Sequence, residues 1–422
     1  MFGERSGFRS RFRFSSRKNR ARAAFLLAVL AVTVLAGASW SAVRTRNAPA
    51  AKPAPGHGIF RTLTGADAFA AGSFDRVTLD EDGALVLDPD AGLRSGHDRA
   101  GRYNGGSFLF GTYVSPVWET GVPVDSVVAS WSAETPAGTW LEVEARARQA
   151  DGWTKYYSMG VWASGTEAVR RHNSGPQEDA DGLVDTDDLR LKRGASAVQL
   201  RVALFTTDPA LTPRLRRLSV TATGDGPGRG TASASPYRRA WGRDLPVPER
   251  RQNDFPGGGG WCSPTSVSMI MAYWAARTGN EAWDRPVPEV AAGVRDHEYG
   301  GTGNWVFNTA YAAGLGLDAY VTRFDSLTDL EWWIAAGVPV AVNIEFEEGG
   351  LDGAPMPSSD GHIIVIRGFD RRGNPIVNDP AARADQGEEV RIVYDRAQLE
   401  RAWQGRPRGT TYIIHPPGYP TP

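Results

Sequence analysis

The chain has a single cysteine, Cys262, in 422 residues. One thiol excludes an intramolecular disulfide framework and a cysteine-rich zinc site. Histidine is scarce too, with six, and His297 among Asp296 and Glu298 lacks the second histidine of a zinc helix. Excess charge of either sign is missing. Lys+Arg number 47 and Asp+Glu 48, a net charge of −1, so no electrostatic case for nucleic acid exists. No G-x-S-x-G is present, which disfavours a nucleophilic serine. The run Gly257–Gly260 lacks the Gly-Lys-Ser/Thr of a phosphate loop. No metal or cofactor is called for.

Long apolar runs are also few. One, Ala23 to Ala38, follows a basic region of Arg5, Arg9, Arg11, Arg13, Arg17, Lys18, Arg20 and Arg22. Ala36-Gly37-Ala38 has the small-x-small form of a cleavage site. Residues 1–46 therefore read as an export signal, and two outcomes stay open. The segment is cleaved and the protein secreted, or it stays as an anchor that leaves the rest outside. No arginine pair precedes the run and no cysteine follows it, so neither the twin-arginine route nor a lipid anchor is expected. An unpaired cysteine is an oxidation hazard in an exported protein, which points to a free reactive thiol or an intermolecular bridge.

Residues 47–58 are a Pro/Ala linker. From 59 to 223 the pattern is β. Leu141, Val143, Ala145 and Ala147 alternate with Glu142, Glu144, Arg146 and Arg148, and Val198, Leu200, Val202 and Leu204 repeat the alternation. Several such strands between Gly, Pro and Asp turns, with no long helix, predict an all-β sandwich. Gln177 to Asp188 loosely follows a calcium loop. It begins with Gln and ends with Asp rather than Glu, so a solvated acidic turn is expected. Residues 224–244 form a Gly/Ser/Pro linker.

Residues 245–422 carry helices first and then strands, an α+β order. Val267, Ile270, Met271 and Trp274 recur at helical spacing and Gly279 follows where such a helix would stop. Helices are expected at Trp305 to Gly314 and, from the capping-box spacing of Ser326 and Asp329, through Trp333 to Gly337. Val338 to Phe346 and the wholly apolar Ile363 to Ile366 read as strands.

Pro264 suits a first helical turn, so Cys262 belongs at a helix N-terminus, where the macrodipole favours a thiolate. His362 opens the apolar strand of a hairpin whose return strand ends at Asp379. Antiparallel pairing about the Asp370–Asn374 turn brings His362 within a residue or two of Asp379. That is the geometry of a base and the group that orients it, with Cys262 as nucleophile.

Trp261-Cys262-Ser263-Pro264-Thr265-Ser266, Asp360-Gly361-His362 and Asn378-Asp379-Pro380, with Val247-Pro248 and Gln252 upstream, resemble a papain-like cysteine peptidase. The resemblance is to the peptidases that cleave double-glycine leaders from bacteriocin precursors and their exported relatives. It covers about Leu245 to His415 and implies a papain-like domain with Cys262, His362 and Asp379 as its catalytic residues. It also implies a glutamine in the oxyanion hole, for which Gln252 is the candidate and Asn253 the substitute. Gln252 lies ten residues before Cys262, more than the family's usual spacing. Asn378 is an alternative to Asp379.

The expected function is an exported bacterial thiol peptidase acting on a peptide or protein. A papain-like amidase or acyltransferase acting on cell-wall peptides is an alternative. So is a surface protein whose sandwich holds a cell-envelope glycan or protein, with an inert second domain.

Overall fold

The computed structural model describes residues 57–225 and 235–422. The expected export segment and the middle of the second linker lie outside the described residues. Among these residues no helix is long and apolar enough to cross a membrane.

The N-terminal domain is β-rich. Its alternating strand Thr139–Gln149 buries Leu141, Val143, Ala145 and Ala147 completely. The strands divide into two sets, but long strands join them into one hydrogen-bonded network of fourteen. In one set, Thr139–Gln149 pairs with Tyr157–Trp162 and with the second half of Asp188–Thr206. In the other, Arg214–Thr223 lies between Gly58–Thr64 and the second half of Trp118–Glu134. The first halves of the two long strands pair with each other, from Leu189 opposite Val127 to Val198 opposite Trp118. Strands this long bend through register shifts, here between Arg190 and Ala197.

The C-terminal domain is mixed α and β. Its antiparallel sheet runs in the order Asp318–Arg323, Thr410–His415, Val340–Phe346, Ser359–Phe369, Pro375–Asn378, Arg391–Val393. Helix Cys262–Thr278 packs on this sheet, and every residue from Ser263 to Ala275 is buried. The spacing of its large apolar residues predicts one apolar face. Serine, threonine and alanine fill the others, so the helix is enclosed all round. Gly279 ends it at φ 76°, a left-handed conformation that suits glycine. The helices at Trp305–Gly314 and Leu327–Ala336 form as expected, the second with its Ser326–Asp329 capping box.

One apolar cluster runs through both domains. Trp131 and Trp162 of the β-rich domain meet Phe307 with ring centroids 6.2 and 5.4 Å apart. Gly160 faces the same ring, where a Cβ would stand 3.1 Å from it. Strand Asp318–Arg323 pairs on one side only, with Thr410–His415. Its other side meets β-domain hydroxyls: Val321 N–H donates to Ser130 (3.2 Å), and Thr221 donates to the Val321 carbonyl (3.2 Å). An exposed edge is thus covered without another strand.

Candidate active site

Cys262 is the first residue of its helix and is half-buried. The chain reaches it through Gly257, at φ 80°, and a single 3-10 turn at Gly258–Gly260. A Cβ on Gly258 would lie 1.8 Å from the Gln252 carbonyl oxygen, so only glycine permits this approach. The Gln252 side-chain amide then donates to the Gly259 carbonyl at 2.9 Å. The ten-residue spacing is therefore folded up, and Gln252, 4 % exposed, lies against the turn before the cysteine. Asn253 is exposed and turns its amide to the Ala381 carbonyl at 3.2 Å.

His362 lies on strand Ser359–Phe369, tied to the Cys262 helix by a hydrogen bond from the Ser266 hydroxyl to the Ile363 carbonyl (3.0 Å). Its Nε2 is 2.7 Å from Asp379 Oδ1, both residues being buried. That leaves Nδ1 as the ring nitrogen for the Cys262 sulfur, which interacts with His362 closely enough to raise its pKa.

A β-bulge sets this meeting. Phe369 and Gly368 pair with Pro375 and Ile376, but Ile366 and Val365 pair with Val377 and Asn378. Arg367 is the extra residue, and it shifts the register by one. Continued in the first register, Asp379 would fall opposite Val365, on the face away from His362. In the second it falls opposite Ile364, on the His362 face. Arg367 is held in place by Asp244, the Leu245 carbonyl and Glu249, and donates to Asn378 Oδ1 at 2.9 Å. The Asn378 amide is spent on the carbonyls of Val247 and Pro248. Asn378 therefore supports the loop, and Asp379 is the residue on the imidazole.

The charges are mutually supported. Burial alone would lower the His362 pKa, but the Asp379 carboxylate and the Cys262 sulfur reverse this and push it up to about 10. Burial would raise Cys262. The His362 hydrogen bond and charge, with backbone hydrogen bonds at Ile363 and Ser263, outweigh it and lower the thiol below its ordinary value. Burial would likewise raise Asp379, yet His362, the Ala381 N–H and the Tyr394 hydroxyl hold it low. The arrangement favours a thiolate–imidazolium pair.

Tyr394 carries no signal in the sequence. It is fully buried, and its hydroxyl donates to Asp379 Oδ2 at 2.8 Å. Hydrogen bonds to charged groups contribute roughly 1.5–3 kcal/mol, and Tyr394→Phe is expected to lose about that at pH 7. The depressed Asp379 carboxyl contributes stability above its unfolded pKa, and that contribution fades as pH falls through the folded value. Urea denaturation should therefore show the penalty shrinking toward pH 3. An equal loss at both pH values would mean that the ring merely packs.

The other histidines lie elsewhere. His57, expected in a linker, is buried and paired with Asp325. His172 bonds the Arg102 carbonyl and His415 the Pro416 carbonyl. His97 bonds Ser107. His297 is exposed, but its neighbour Asp296 is fully buried and accepts from the Asn173, Glu298 and Tyr299 N–H groups.

Cys262 opens onto a cleft of about 420 Å³ lined from both domains. The acidic stretch read as a solvated turn supplies one wall. Asp179 and Asp181 do pair at the surface, with Lys155 and Arg193. Asp187 and Asp188 instead are buried in the junction. Asp187 accepts from the N–H groups of Trp305 and Val306 at the start of their helix, and Asp188 pairs with buried Arg323. No group of metal-binding character occurs among the described residues.

Residues 244–409 match the Peptidase_C39 like family, and residues 59–223 match the Peptidase C39 N-terminal domain. A C39-like domain suggests a cysteine peptidase. No curated protein matches the chain. Among solved structures, a C39-like peptidase from Bacillus anthracis is 16% identical, with a TM-score of 0.29, over 40% of this chain and 94% of its own. A family two carbohydrate esterase from Cellvibrio japonicus is 11% identical, with a TM-score of 0.19, over 39% of this chain and 34% of its own. Peanut lectin is 12% identical, with a TM-score of 0.21, over 39% of this chain and 97% of its own.

Proposed function

We propose that this chain, a C39-like peptidase family domain behind a peptidase C39 N-terminal domain, is an exported thiol peptidase of papain-like fold. The observation that carries the reading is Cys262 at a helix start on the mouth of an open cleft, electrostatically coupled to a buried His362 whose Nε2 is held by Asp379 at 2.7 Å. The Cys262 thiolate attacks the carbonyl carbon of a peptide bond. The tetrahedral oxyanion is held by the Cys262 backbone N–H and the Gln252 amide. The His362 imidazolium gives its proton to the departing amine, leaving a thioester on the sulfur. Neutral His362 then takes a proton from water, which attacks the thioester. The acid product leaves and the thiolate–imidazolium pair returns. Asp379 keeps Nδ1 turned to the sulfur and stabilises the imidazolium throughout.

The residues that run this cycle would equally serve an amidase or an acyltransferase on cell-wall peptides, and products separate these. The test is mass spectrometry of a mixed peptide library incubated with the chain from Asn47 onward. Hydrolysis at defined bonds is expected. Cys262→Ala should remove it altogether, and Gln252→Ala should lower kcat by roughly 10²–10³-fold. Hydrolysis that survives Cys262→Ala would sink the proposal.

A further inference from the structure

The cleft at Cys262 is built by both domains. Asp185, Asp187, Asp188 and Arg190 come from the β-rich domain, and Asn343, Glu345 and Asp360 face them from the peptidase sheet. The β-rich contribution is a hairpin in which Asp185 pairs with Asp188 across Thr186 and Asp187. Thr186 stands at φ 59°, a conformation that costs a β-branched residue energy. Asp187 fastens the turn to the Trp305 helix and Arg323 fastens Asp188. The hairpin is thus pinned as a fixed wall over the cysteine.

Two of the cleft's carboxylates serve that anchoring. Burial pushes Asp187 well above the ordinary carboxylate range, and Asp188 is matched by Arg323. The remaining three face the opening. Asp185 and Glu345 are bridged by Arg190 and Arg406, at 3.0 and 2.7 Å, whose exposed side chains can swing away. Asp360 is exposed, two residues before His362, and has no ion-pair partner among the described residues.

A second observation points to an occupant. Asn343 is only 7 % exposed, yet its side-chain amide lines the cleft without a hydrogen-bond partner among the described residues. It lies opposite Ile363 in the ladder, beside the His362 strand. Its polar atoms open on the cleft, so a main-chain group of a bound peptide can take the place of the water they meet. Tyr299, 52 % exposed, and Trp305 also line the cleft. Aromatic faces among carboxylates suit an organic cation.

Resting on the peptidase reading above, we propose that the substrate is a peptide with a cationic side chain within a few residues of the scissile bond. The cation lies between the β-domain hairpin and Asp360, and the Asn343 amide takes a main-chain group of the same peptide. The β-rich domain is thereby part of the specificity of the enzyme.

Cys262 is its own reporter, being the only thiol. The experiment compares its rates of modification by 2-(trimethylammonium)ethyl and 2-sulfonatoethyl methanethiosulfonate, each normalised to a free small thiol. The cationic reagent is expected to be favoured about tenfold at low salt, through focusing of the field in the cleft. The preference should fall in 0.5 M salt, and fall toward unity in Asp360→Asn and in Asp185→Asn. Equal rates, or an anionic preference, would overturn the proposal. So would a cationic preference that both variants leave unchanged. A thiol that neither reagent modifies below pH 7 would instead count against the peptidase reading itself, so the two failures are distinct.

Discussion

Alkylation of Cys262 by iodoacetamide is expected to stay fast down to pH 5, and His362→Ala is expected to slow it by roughly two orders of magnitude at pH 6. Three effects hold the thiol below its ordinary value: the His362 hydrogen bond, the His362 charge, and the backbone hydrogen bonds at Ile363 and Ser263. Burial opposes them. The alanine variant loses the first two and keeps the burial, so its thiol should titrate at or above the ordinary value of about 8.5. At pH 6 such a thiol is under about 1% ionised, whereas the His362 interactions bias the wild-type sulfur toward the thiolate.

The alkaline side carries the second half of this result. His362 is raised from 6.5 to about 10, so its proton is retained through neutral pH. A raised histidine contributes stability that is complete below its unfolded pKa and is lost as pH rises through the folded one. The wild-type protein should therefore lose stability between about pH 7 and 10 by a margin that His362→Ala does not show. Alkylation monitored by intact mass from pH 5 to 9, with thermal melts over pH 6 to 10, reads both. A wild-type thiol that reacts no faster than free cysteine, or only after unfolding, would make Cys262 a structural residue.

How far the sequence led to this site depends on the range over which each signal acts. Cys262 at a helix start was legible because helix-start chemistry is local: glycine, Pro264, then apolar spacing. His362 beside Asp379 was legible because a hairpin turn fixes both strands within seventeen residues. The bulge at Arg367 was not legible, although it decides which face Asp379 takes, since nothing in Ile-Arg-Gly-Phe distinguishes a bulge from a plain strand. The departure in Gln252 spacing became intelligible only with the Gly258 turn, where a Cβ would strike the Gln252 carbonyl. Least legible was the second wall of the cleft. Asp185 to Asp188 lie more than seventy residues from Cys262. Their acidic pattern signalled a turn, but it said nothing of the helix and the arginine that would receive them. Tyr394, just past strand Arg391–Val393, is a similar case, an ordinary aromatic until its hydroxyl is seen on Asp379.

That long-range junction carries the last of the large effects. Arg323 is buried at the end of its strand, where it donates to Ser126, Thr223 and Thr410 and pairs with Asp188 at 3.3 Å. Four of these five residues are separated from at least one partner by about a hundred positions or more. A buried pair of this kind contributes little net stability compared with apolar residues of the same volume, but losing Arg323 leaves the buried Asp188 only the half-exposed Arg190 at 3.5 Å as counterpart. Arg323→Ala should accordingly cost about 3–5 kcal/mol, read as a shift of the urea midpoint. Asp188→Leu combined with Arg323→Met should recover most of that loss. The recovered variant separates two roles of Asp188. If it anchors the hairpin only through Arg323, the double variant regains stability and keeps Cys262 reactive, because the apolar pair still packs the wall against the peptidase domain. If the double variant is as unstable as Arg323→Ala, the junction depends on the hydrogen bonds to Ser126, Thr223 and Thr410 rather than on the charge pair. The hairpin would then be held by that polar network, and the ion pair would be incidental to it.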